Sequence, residues 1–309
     1  MWQVVEVHLQ KNEFSLNRFL SVEAPHPAIV KAVAMSKPDM HKENQNWAYL
    51  VMEEAKGVDL IEYSKYLQKL EASKCSNDKA LAAEHKRAIY VQIISAIRHM
   101  HHHNIAYRDL KLENARYNPK TRELKLFDFG LSKMIKKSSR SHSFVGSLHY
   151  LAPEMLLNIP RLEVRDELTA RVAEDHDRGV DMWALGVIIA ELELGHSPFD
   201  QSGRTERSII AQNILSFTKG NFEGIPEQGL LQRTRRFLSR TRAPPGSFTP
   251  KFDDIKNKNV RSLVKSLVVP CEEKRLSIED VVRLPLVQGW INEFAKNEYF
   301  PQYHVAAPG

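Results

Sequence analysis

Hydrophobic spacing divides the chain into recognisable pieces. Phe14, Leu16, Phe19, Leu20 and Val22 recur among polar residues between positions 10 and 23, the pattern of an amphipathic helix, and the prolines of APHPAIV end it. Two strand-type runs follow, AIVKAVAM (28–35) and WAYLVME (47–53), joined by a polar connection containing Pro38, Asp39 and Asn44, which together predict a hairpin. From residue 84 the spacing of Ile89, Ile93, Ile97 and Met100 predicts a long helix with one buried face, running to HMHHHNI. ELKLFDFG (123–130) reads as a short strand after which Gly130 allows a sharp turn. VDMWALGVIIAELELG (180–195) is apolar on nearly every side, the signature of a helix at the centre of a helical lobe, with Asp181 near its start where a carboxylate can accept backbone N–H groups.

Two stretches interrupt this pattern. Residues 157–179 are densely charged, and 219–250 are rich in Gly, Pro, Arg and Ser; both are expected to be exposed insertions. The resulting division is a strand-bearing N-terminal piece (1–53), a connector (54–60), a helical lobe (61–295) and a tail (296–309).

Composition narrows the class. With 42% hydrophobic and 27% charged residues in 309, the chain has the make-up of a soluble globular protein. Its longest apolar run, MWALGVIIA (182–190), is far shorter than the roughly 20 residues of a membrane span, so no membrane partner is expected. The first residues lack the basic flank and apolar centre of a secretory signal. Cys75 and Cys271 are too few for a disulfide framework and are expected as packing residues in a reducing compartment, the cytoplasm or nucleus. A formal charge of +6 favours acidic partners or ATP at long range. RTRRFLSRTR (233–242) is expected to be a solvated insertion, so nucleic acid is not the expected partner, and His99 and His103 are expected to end a helix and not to hold a metal.

The chemistry is concentrated in four ordered motifs: YRDLKLEN (107–114), DFG (128–130), GSLHYLAPEM (146–155) and DMWALG (181–186). In this order they resemble eukaryotic protein kinases of the Ser/Thr type, basophilic and calmodulin-dependent-like, over about residues 10 to 295. The resemblance implies a two-lobed α+β fold with a small N-lobe and a large, mainly helical C-lobe, ATP and magnesium as cofactors, and a protein substrate. Phosphoryl transfer needs positioning and charge neutralisation more than covalent chemistry. In that scheme Asp109 orients the proton of the attacking hydroxyl and Lys111 places positive charge near the transferred group. Asn114 and Asp128 offer magnesium the hard oxygen ligands it requires.

Other roles also follow from the resemblance. Tyr107 stands where His is commoner, its ring packing beneath the Phe of DFG. Arg108 would meet a phosphorylated activation segment, with Ser143 as the expected phosphosite, since arginine pairs bidentately with phosphate oxygens. Glu154 and Arg275 resemble a buried structural ion pair. The backbone at Glu53 and Ala55 would hydrogen-bond adenine, with Met52 guarding the pocket, and Asp181 would brace the catalytic-loop backbone.

One element of the family pattern does not match. The first glycine is Gly57, so no glycine-rich loop precedes HPAIV, and the one lysine before that run, Lys11, lies too near Glu13 to act as the strand lysine. If VVEV (4–7) is the remnant of that strand, Glu6 occupies or neighbours the lysine position. The expectation is either a truncated chain of an ordinary kinase, the preferred reading, or a divergent pseudokinase acting as a scaffold or allosteric partner.

Overall fold

The computed structural model describes residues 2–7, 11–35, 48–135, 147–157, 167–200, 207–219 and 248–295. These fall into two compact units, 1–134 with 282–309, and 135–281. The architecture is the expected α+β one, with small sheets and a majority of helix.

In the first unit, β1 (Trp2–Val7) and β2 (Ala32–Met35) flank β3 (Ala48–Glu53), both antiparallel to it. The predicted hairpin is the β2–β3 pair, with Met35 opposite Leu50. The predicted first helix is α1 (Lys11–Arg18), continued by a wider turn over Phe19–Glu23 that buries Leu20. The connector region 54–60 lies within this unit: Gly57 adopts φ 111°, where a Cβ would stand 2.3 Å from the Tyr117 carbonyl oxygen, so only glycine fits. After it come β4 (Val58–Asp59), α2 (Leu60–Ala72) and α3 (Ser76–His102). The helix expected from residue 84 therefore begins eight residues earlier, because the polar SNDK turn is helical without contributing an apolar stripe. Cys75 is exposed just ahead of α3 and is not the packing residue expected; Cys271 is half-buried.

Beyond α3 lie β5 (Ile105–Ala106), β6 (Ala115–Tyr117), β7 (Leu124–Leu126) and β8 (Lys133–Met134). They form a three-stranded sheet, β4-β6-β7, and a β5–β8 pair. Ile29 bridges to Leu126, and Leu126 N–H donates to Ala28 O at 2.8 Å, so β7 is anchored on the segment after α1.

His26, 8% exposed, sits in this junction. Its Nδ1 accepts the Ala28 N–H at 3.2 Å and its Nε2 lies 3.0 Å from Ser95 Oγ, an arrangement that requires the neutral ring. Burial first, then the charges of His99 and Lys125, push its pKa down from 6.5 to about 3. The unfolded chain therefore takes up a proton that the folded one refuses. This contribution is present above pH 6.5 and is lost at about 1.4 kcal/mol per pH unit as pH falls towards about 3. Urea unfolding across this range should show His26→Gln losing stability less steeply than the parent protein; parallel slopes would remove His26 from that role.

In the second unit α4 (Pro153–Leu157), α5 (Glu167–Leu194), α6 (Arg207–Lys219) and α7 (Lys258–Leu267) precede α8 (Ile278–Arg283), which crosses into the first unit, where α9 (Pro285–Ala295) packs on α3 through Trp290 and Tyr90. From Val180 to Ala190 every residue of α5 is buried, as its all-round apolarity requires. At Gly186 a Cβ would lie 2.7 Å from both Leu267 and Val268, so the missing side chain is what lets α7 approach. Residues 167–179, expected as part of an exposed insertion, are the first turns of α5. Asp181 is consequently interior to the helix and not at its N-terminus; there the backbone N–H groups are already committed to the i−4 carbonyls. Among the described residues no helix is long and apolar enough to cross a membrane.

Candidate active site

Four of the expected residues converge because of one hairpin. β6 and β7 pair antiparallel with Ala115 opposite Leu126, and the turn between them is built by Asn118, whose Oδ1 accepts the Lys120 N–H at 3.0 Å. Gln92 of α3, fully buried, clamps the hairpin: it accepts the Leu124 N–H at 2.8 Å and donates to Arg122 O at 2.8 Å and Ala88 O at 2.9 Å. The chain entering β6 and the chain leaving β7 therefore run side by side, and Phe127 N–H donates to Asn114 O at 3.1 Å. Asn114 and Asp128 emerge at the same end of the ladder.

Asp109 is the hub. It is 6% exposed, and its Oδ2 accepts Lys111 Nζ at 2.6 Å and Asn114 Nδ2 at 2.9 Å; the same Nδ2 lies 3.0 Å from the Asp109 carbonyl. Because Asn114 uses its amide nitrogen on Asp109, its Oδ1 remains an acceptor. Asp128 is exposed at φ 64°, with Oδ1 accepting the Gly130 N–H at 3.2 Å and Oδ2 left to act as a ligand. The sharp turn expected at Gly130 is thus made at Asp128, since Gly130 is not in the left-handed region while Asp128 is. Arg108, buried, also has positive φ (65°); non-glycine residues held there are characteristic of functional loops. Tyr107 packs edge-on against Phe129 at 5.5 Å, as expected, and its hydroxyl donates to Phe127 O.

The donor set suits magnesium: two hard oxygens, Asn114 Oδ1 and a carboxylate oxygen of Asp128, on neighbouring strand ends, the kind of partial cage this ion accepts when phosphate oxygens and water complete it.

The expected hinge follows β3. Met52 and Glu53 end that strand and Ala55 is buried beyond it. Position suggested Glu53 and said nothing of its side chain, which proves to be a clamp: Oε1 accepts Lys125 Nζ at 2.5 Å and Lys31 N–H at 3.1 Å. Sequence reasoning also passed over Arg116 and Asp59. Arg116 Nε donates to Asp59 Oδ1 at 3.0 Å and its Nη1 to Ala55 O at 3.2 Å. The signal was available in strand alternation, since Ala115 and Tyr117 are buried and the residue between them must face the other way.

In the second unit Glu154 and Arg275 form the expected pair, with contacts of 2.7 and 3.1 Å. Asp181 is fully buried in α5. Ser143 lies outside the described residues. His99 of the histidine-rich helix end meets the Ala24 carbonyl at 2.9 Å through Nε2.

Comparison with known proteins agrees with this geometry. The protein kinase domain family matches residues 7–287. The chain is 33% identical over 204 residues to CDPK-related kinase 1 of Arabidopsis thaliana, covering 65% of this chain and 30% of that protein. It is 32% identical over 221 residues to a cAMP-dependent protein kinase, catalytic subunit-like, of Caenorhabditis elegans, covering 70% and 46%. Sperm motility kinase 3A of Mus musculus is 30% identical over 200 residues, covering 62% and 33%. Each alignment spans less than half of the relative's length. With the family match reaching across both units, and with Asn114 of the Asp109 cluster at the same end of the β6–β7 ladder as Asp128, this chain belongs to the protein kinase domain family.

Proposed function

We propose that the chain transfers the γ-phosphoryl group of ATP to a serine or threonine hydroxyl of a protein substrate. The observation that carries this reading is the Asp109 hub: a buried carboxylate held by Lys111 and Asn114, beside the exposed Asp128. Asp109 would orient the hydroxyl and take up its proton, while Lys111 would lend charge to the phosphoryl oxygens; a lysine at this position resembles the Ser/Thr branch of the family. Asn114 and Asp128 would hold magnesium, which when bound neutralises charge on the phosphates. The relatives, all named as kinases, support the same class.

A second reading, a kinase-fold scaffold, is favoured by β1. This strand pairs with the one that leads to the hinge, yet its sequence WQVVEV contains Glu6 and no lysine.

The test is transfer of labelled phosphate from ATP to a basic protein with magnesium, comparing the chain with Asp128→Asn. The expected outcome is transfer that needs magnesium and falls at least about a hundredfold in the variant, the scale of losing one preorganised charge stabiliser. Equal signals from both proteins, or none from either, would favour the scaffold.

A further inference from the structure

The acceptors at the hinge are already engaged by the chain's own side chain. β4 and β6 are antiparallel with Asp59 directly opposite Arg116, so the arginine side chain, on the face away from buried Ala115 and Tyr117, crosses towards the connector. There its guanidinium meets two acceptors, the Asp59 carboxylate at 3.0 Å and the Ala55 carbonyl at 3.2 Å. Ala55 is one of the two residues whose backbone the kinase reading assigns to adenine. Gly57, confined to φ 111° against the Tyr117 carbonyl, holds the intervening loop close to β6 and keeps the reach short.

We infer that Arg116 is an internal competitor for the nucleoside end of the nucleotide site, a residue that sets how tightly the adenosine moiety binds. This rests on the proposed kinase reading. For a base and ribose to settle against the connector, the guanidinium must release Ala55 O and turn away from Asp59. The side chains are 33% and 47% exposed, so the pair is one that solvent screens and thermal motion opens. Arg116 therefore tunes affinity and does not close the site. Combining one exposed ion pair with one neutral-acceptor hydrogen bond, its release costs the ligand about a factor of ten in affinity.

The phosphate end should respond differently. Asp109, Asn114 and Asp128 are held through Gln92, the β6–β7 ladder and the Phe127 N–H, none of which involves the Arg116 side chain. Removing the guanidinium should thus improve binding of the nucleoside while leaving, or slightly weakening through loss of a positive charge, binding of magnesium tripolyphosphate.

Calorimetric titration of the chain, Arg116→Leu and Arg116→Lys with adenosine, and separately with magnesium tripolyphosphate, reads this out without any transfer assay. Leucine keeps the stem and removes both donated bonds; lysine keeps the charge and can hold one acceptor. Expected are a Kd for adenosine about tenfold lower in Arg116→Leu and about threefold lower in Arg116→Lys, with no gain for tripolyphosphate. Thermal unfolding of each ligand-free variant guards against a loss of fold, and the lysine variant carries the test if the leucine variant does not fold. Adenosine affinity unchanged or weakened by the substitutions, or absent from all three proteins, overturns the inference. The transfer assay with Asp128→Asn is judged separately, so a failure of Arg116 to compete and a failure of the kinase reading give different patterns. If transfer is measurable, the same variants should lower KM for ATP.

Discussion

Replacing Asp109 with asparagine should lower the rate of phosphoryl transfer by about 10²–10⁴-fold, the range associated with a positioned general base, while leaving the chain folded. The side chain is nearly isosteric and sits in a polar nest. Asparagine can still accept from Asn114, but it presents an amide in place of a carboxylate to Lys111 Nζ, now 2.6 Å from Oδ2. Two things are lost together: the acceptor for the hydroxyl proton, and the counter-charge that fixes Lys111. Magnesium and nucleotide binding depend on Asn114 and Asp128, whose positions are set by the ladder and by Phe127 N–H, so KM for ATP should move much less than kcat. Steady-state kinetics with a calorimetric nucleotide titration would check the split. A variant that transfers phosphate at the parent rate would mean that Asp109 is a structural hub only.

How much of this was legible beforehand differs from element to element, for physical reasons. YRDLKLEN and DFG could be placed because their chemistry depends on residue identity at fixed spacing, and the structure brings Asp109, Lys111, Asn114 and Asp128 to one end of the β6–β7 ladder. The ladder itself was less visible. β6 and β7 are three residues each, too short for alternation to register, and what secures them is Gln92, a polar side chain from a distant helix. Glycine's freedom points to a turn at Gly130, yet Asp128 takes the left-handed conformation, held by its own bond to the Gly130 N–H. The start of α5 is hidden because charged residues 167–179 read as an insertion; a helix can continue past its apolar portion because its i→i−4 backbone bonds do not require an apolar stripe. Arg116 was missed because a motif fixes the residues it names and is silent on the one two positions after Asn114.

The largest stability effect should come from Arg275→Ala. The guanidinium has five N–H donors, and all five are used: Nη1 to Glu154 Oε1 (2.7 Å) and Gly179 O (2.5 Å), Nη2 to Glu154 Oε2 (3.1 Å) and Val269 O (2.9 Å), and Nε to Val269 O (3.1 Å). Its side chain is 1% exposed and lies 5.3 Å from the Trp183 ring centroid. Alanine leaves the Glu154 carboxylate, 13% exposed, without its counter-ion, leaves the two carbonyls without these donors, and opens a void over Trp183. Losing one partner of a buried pair costs about 3–5 kcal/mol, because the remaining charge stays desolvated. Arg275→Lys should recover only part of this, since an ammonium has three donors and cannot present a planar fork to both carboxylate oxygens. The decisive comparison is the double variant Glu154→Gln with Arg275→Ala. Removing the charge that the first substitution stranded should make the pair of changes cost less than the sum of the two single ones, by about 1–3 kcal/mol in denaturant unfolding. Additive losses, or a cost below about 1 kcal/mol for Arg275→Ala alone, would mean that solvent reaches Glu154 and that the ion pair does not hold α4 to the segment before α8.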